Sequence, residues 1–75
     1  MRLHTELISG RRYVIDEDAA VGFYLYVFEG DRCLYDYLQD SLKLAKDFAE
    51  ERFGVPQAAW KPAKATGDPR QARDA

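Results

Sequence analysis

The chain is poor in the residues that most small domains use for chemistry or for covalent support. It has one cysteine and one histidine in 75 residues. Cys33 alone excludes an internal disulfide, and His4 alone leaves no Cys/His set for a structural zinc. The five glycines stand apart from one another, so no glycine-rich loop is present to cradle a phosphate. No apolar run of signal-peptide length follows Met1, and no stretch is long enough to span a bilayer. The expectation is a cytoplasmic protein with no membrane partner. A strong charge of one sign is also missing, the net charge being −2. Residues 1–60 carry seven Lys/Arg against eleven Asp/Glu, and residues 61–75 carry four against two. An acidic body repels phosphate, which disfavours nucleic acid as a partner.

Catalytic groups are equally sparse. Asp16, Glu17 and Asp18 are consecutive, and neighbours in an extended segment point to different sides rather than converging on a metal or a proton. They also lack the glycine-containing ligand spacing of a calcium loop. Cys33 has no base beside it in sequence, since His4 lies on a different segment. The chain is therefore expected to be no enzyme, with no catalytic residue, no cofactor and no metal.

Aromatic residues, by contrast, are plentiful: five Tyr, four Phe and one Trp. Six of these ten fall between Gly22 and Leu38. There Phe23-Tyr24-Leu25-Tyr26-Val27-Phe28 meets a Gly30-Asp31 turn, and Arg32-Cys33-Leu34-Tyr35-Asp36-Tyr37-Leu38 runs back. An uninterrupted hairpin with this two-residue loop sets Phe28 opposite Cys33, Val27 opposite Leu34, Tyr26 opposite Tyr35 and Tyr24 opposite Tyr37. Alternation then gathers Tyr24, Tyr26, Phe28, Cys33, Tyr35 and Tyr37 on one face, and Phe23, Leu25, Val27, Leu34 and Leu38 on the other. Asp36 falls on the aliphatic face, opposite Leu25.

Upstream, Arg12 to Asp16 reads as a strand, with Ser9-Gly10 as a turn before it and Asp16 to Ala20 as a polar connection after it. Leu3 to Ile8 fits an arm or an edge strand equally. Downstream, Leu42, Ala45, Phe48, Ala49 and Phe53 recur at helical spacing, with Asp40 or Ser41 as N-cap and Gly54-Val55-Pro56 as the stop. Trp60 is expected to fold back onto the helix or the sheet edge. Residues 61–75 contain two of the three prolines and no large apolar residue, and read as a flexible tail.

The order β-β-β-α implies an α+β domain over residues 1–60, a three- or four-stranded antiparallel sheet with one helix on one face. The aliphatic face suits the helix, leaving the tyrosine face outward; if the helix covers the tyrosine face instead, the aliphatic face is the open one. About sixty residues make a marginal core, and with no disulfide or zinc set, self-association or dense aromatic packing must compensate.

The segments Gly22 to Gly30, Tyr37-Leu38-Gln39-Asp40 and Phe53-Gly54-Val55-Pro56 resemble small uncharacterised bacterial proteins with a hairpin–helix module. That resemblance implies the fold and a bacterial setting, and no activity. The β-β-β-α order after an Asp-Glu-Asp turn is similar in topology to HicB-type antitoxin domains, which bind a small basic toxin. Their Pro-Asp-Leu-Pro-Gly-Cys type segment is missing here. The expected function is a protein-interaction module whose partner is a second copy, as a homodimer, or a small protein. Tyr24, Tyr26, Phe28, Tyr35 and Tyr37 form its contact face. An antitoxin-like partner-binding domain and a weak single-stranded nucleic-acid binder are the alternatives.

Overall fold

Five strands and one helix account for most of residues 1–63, the portion that the computed structural model describes. The strands are β1 (Arg2–His4), β2 (Arg12–Asp18), β3 (Gly22–Glu29), β4 (Arg32–Gln39) and β5 (Lys61–Pro62). The helix α1 spans Leu42–Phe53, and a short 3-10 turn, Gln57–Ala59, leads into β5. All pairings are antiparallel, in the order β4-β3-β2-β1-β5. The α+β class and the single packed helix follow the sequence reading, with one strand more than its upper count. Leu3 to Ile8 supplies a strand only as far as His4. Lys61 and Pro62, at the start of the expected tail, pair with His4 and Leu3. The rest of that tail, 64–75, lies outside the described residues.

The helix begins and ends where its side chains dictate. Ser41 accepts a bond from the Leu44 amide at 3.1 Å, satisfying one of the first-turn donors. At the other end Gly54 adopts φ 74°, and its amide reaches the Glu50 carbonyl at 2.9 Å. A left-handed residue there ends the helix, and Pro56 follows two positions later. Ala45 and Ala49 are fully buried against the sheet because their small side chains let the helix backbone approach it.

One irregularity decides what the helix meets. Phe28 pairs with Cys33, but Val27 pairs with Tyr35, so Leu34 is an extra residue in β4. A bulge of this kind shifts every later residue of its strand by one position, and each side chain changes face. Tyr26 therefore faces Asp36, Leu25 faces Tyr37, and Tyr24 faces Leu38. The uninterrupted register is corrected accordingly: Tyr35 and Tyr37 lie on the helix side of the sheet, while Asp36 and Leu38 lie on the opposite face. The bulge keeps the Asp36 carboxylate away from the helix-side core, where burial without a partner is costly.

The helix-side core consists of Tyr13, Ile15, Leu25, Val27, Ala45, Ala49 and Val55. Phe23, Tyr37, Phe48, Phe53 and Trp60 pack around it, so Trp60 does fold back. Thr5 is the single buried polar residue of the described chain. Its hydroxyl accepts from the Tyr13 amide at 3.2 Å and donates to the Glu6 carbonyl at 2.7 Å.

Candidate interaction surface

The bulge splits the five aromatic residues expected to share a surface. Tyr24, Tyr26 and Phe28 remain together on the face away from α1, with Val14 and Cys33 in the same cluster. Their rings form a row along β3, with centroids 5.8 Å apart for Tyr24 and Tyr26 and 6.3 Å for Tyr26 and Phe28. Arg12 covers the Phe28 ring, its guanidinium carbon 5.3 Å from the centroid. Tyr26 is 1% exposed and Phe28 5%. Residues this buried can offer a partner no ring surface, neither for a protein contact nor for base stacking.

Tyr35 and Tyr37 take part in a different aromatic row, on the helix side. The Tyr37 ring lies 4.7 Å from Phe48 and 6.1 Å from Phe53, and Tyr35 lies 6.2 Å from Tyr37 and 6.0 Å from Phe53. The row runs outward from the core and ends on Tyr35, which is 45% exposed. On the opposite face of the same strand Leu38 is 49% exposed. A shallow hollow lined by Cys33, Leu34, Tyr35 and Asp36 marks the bulge. Large half-exposed side chains on both faces of one strand set β4 apart from β2 and β3, whose apolar residues are largely buried.

The two edges of the sheet are finished differently. β5 is two residues long and contains Pro62, which has no amide hydrogen to donate. Short length and proline protect one edge, whereas β4 has only its bulge and the charges of Arg32 and Asp36. β4 is eight residues long, contains no proline or lysine, and among the described residues no strand pairs with its outer side. Half of the backbone N–H and C=O groups of such a strand point away from its neighbour, available to another chain.

The acidic run is structural. Asp16, Glu17 and Asp18 belong to the end of β2 rather than to a connection. Asp16 bonds the Arg2 guanidinium at 3.2 Å, Glu17 lies 3.5 Å from the amino terminus, and Asp18 accepts from the Ala20 amide at 3.0 Å. Cys33 and His4 sit on β4 and β1, three strand spacings apart, about 14 Å. The Cys33 thiol donates to the Tyr35 carbonyl at 3.4 Å. Among the described residues no group of three or more His, Cys, Asp or Glu is placed to hold a metal. No helix among them is long and apolar enough to cross a membrane. On α1, Lys43 bonds Asp47 at 2.6 Å. That bond holds the Asp47 carboxyl below its ordinary pKa and raises that of Lys43.

The faces of Tyr35 and Leu38 could not be found from alternation alone, because the bulge that exchanges them leaves no local signature in Cys33-Leu34-Tyr35. The signal was indirect: the uninterrupted register puts Asp36 under the helix. Comparison of the chain with protein-family models, with curated proteins and with solved structures finds no match.

Proposed function

We propose that the protein is a non-enzymatic protein-interaction module that self-associates, and that its contact surface is the β4 edge rather than the tyrosine face. The observation that carries this reading is the eight-residue edge strand, regular from Tyr35 to Gln39 and flanked by half-exposed Tyr35 and Leu38. Strand addition at a sheet edge draws affinity from main-chain bonds and specificity from flanking side chains. A domain whose core must be built from some sixty residues gains from each apolar group that a partner covers. Of the aromatic residues expected at the contact, Tyr35 belongs to the exposed surface and Tyr37 lies just beneath it. Tyr24, Tyr26 and Phe28 support the sheet from its other face.

The test is the solution mass of the full chain by light scattering over a concentration series. The expected result is a rise from 8.6 kDa towards twice that value. A mass that stays at the single-chain value at every concentration would overturn the proposal.

A further inference from the structure

Resting on that reading, we infer that two copies join β4 to β4, antiparallel about a two-fold axis at Tyr37, into one continuous ten-stranded sheet. A two-fold axis normal to the sheet makes such a contact isologous: residue i of one copy meets residue j of the other, and j meets i. It also keeps faces aligned, so the helix side of one copy continues into the helix side of the other.

The register follows from where the charges and the bulge lie. The regular part of β4 runs from Tyr35 to Gln39, beyond the bulge. An axis at Asp36 sets that carboxylate opposite its own mate. An axis at Leu38 sets Asp36 opposite Asp40 of the second copy. Like charges directly opposed across two strands are destabilising. An axis at Tyr35 draws the bulged Cys33 and Leu34 into the pairing, where the face alternation is broken. An axis at Gln39 brings Tyr37 against Ser41, the cap of α1, where the strand has ended. Tyr37 is the remaining centre. It pairs Tyr37 with Tyr37, Tyr35 with Gln39 and Asp36 with Leu38, and sets no like charges directly opposite each other.

On the helix side this arrangement joins two aromatic rows. Each row runs from Phe48 through Tyr37 to an exposed Tyr35 ring. Across the axis the second copy covers that ring with its own Tyr37 and Gln39. On the other face the two Leu38 side chains, like the two Asp36 side chains, are diagonal neighbours about 7–8 Å apart, beyond the direct pairing of 36 with 38. Five paired residues a side make a small contact, below about 1,200 Å² in total, the size class of weak and reversible complexes.

The experiment uses the full chain with Cys33→Ser as background. Asp36→Cys and Leu38→Cys, both at exposed positions, are prepared singly and mixed, then oxidised. A disulfide forms readily only between residues whose Cα atoms lie within about 7 Å, which in this register means position 36 of one copy and position 38 of the other. The expected result is a covalent dimer containing one of each variant, at several times the yield of either variant alone. Leu44→Cys, equally exposed on α1, serves as the unreactive control. Leu38→Lys, which places a protective charge on the edge, is expected to weaken dimerisation at least tenfold with the fold intact.

Strong cross-linking of Asp36→Cys alone or of Leu38→Cys alone would move the axis to that residue and overturn the Tyr37 register. A native dimer indifferent to Leu38→Lys and uncross-linked at 36 and 38 would overturn the β4 contact while leaving self-association standing. A native chain that is monomeric throughout would remove both.

Discussion

Deleting Leu34 is the most direct test of the bulge on which the placement of every later β4 residue depends. Without Leu34, Phe28 still meets Cys33 and Val27 still meets Tyr35, so Tyr35, Asp36, Tyr37 and Leu38 keep their faces. The losses are one half-buried leucine, about 1–1.5 kcal/mol on the scale of 1.5–3 for full burial, and some local twist. The expected cost is therefore about 1–2 kcal/mol, small for the removal of a residue from the middle of a strand. In an uninterrupted hairpin the same deletion would reverse the face of every later β4 residue, taking Tyr35 and Tyr37 out of the aromatic row of Tyr24, Tyr26 and Phe28 and Leu38 off the helix face. Loss of buried aromatic packing on that scale costs about 3–5 kcal/mol, comparable with the whole stability of a domain this small. Urea unfolding followed by the fluorescence of Trp60, which packs against the helix-side core, measures the difference. A deletion variant with an unchanged urea slope and a slightly lowered midpoint is expected. An unfolded variant, or a native chain whose Tyr37 ring shows no nuclear Overhauser contacts to Phe48, would refute the bulge.

Three further outcomes follow from the geometry. Tyr26→Ser removes a ring that is 1% exposed and is expected to lower stability by about 3–5 kcal/mol in urea unfolding, so any loss of dimer in that variant reports unfolding first. Gly22→Ala is expected to cost more than Gly54→Ala: both have positive φ, but a Cβ at Gly22 would lie 2.5 Å from the Gln39 carbonyl oxygen, whereas nothing lies within 4 Å at Gly54. About 1–2 kcal/mol is expected for Gly54, as for a left-handed residue, with a larger loss for Gly22, both read from thermal or urea midpoints. Lys43→Met is expected to raise the Asp47 pKa towards its ordinary 3.8, as seen in an NMR titration of the carboxyl. The sign follows from linkage. A carboxyl lowered in the folded state stabilises it above the unfolded value, and that contribution is lost as pH falls through the folded one. The variant should therefore lose less stability on acidification than the native chain.

Local chemistry made much of the fold legible. The helix from its cap to Gly54 was readable because capping, 3.6-residue periodicity and a left-handed stop act within a few residues of one another. The hairpin turn, β3 and the grouping of Phe23, Leu25 and Val27 on one face were readable for the same reason, though not that this face meets the helix. Asp36 under the helix was the one sign of conflict. β1 and β5 were harder to read, since three-residue and two-residue strands carry almost no periodicity and exist because each completes the other's edge. Lys61-Pro62 has the composition of a tail and becomes a strand because Leu3 and His4 are there to pair with it.

The candidate site divides along the same line. Sequence by itself determined that aromatic residues crowd one hairpin, that no disulfide or zinc set supports the core, and that a single helix covers one face of the sheet. Only the tertiary structure decided which tyrosines lie under that helix and which strand is left at the edge. A one-residue bulge reverses faces without changing the local pattern, and it is favoured by what lies across the sheet. Tyr37 gains Phe48 and Phe53, and Asp36 escapes burial beneath the helix. Those contacts join residues that are far apart in the chain, so no window of sequence around Leu34 contains the reason for it.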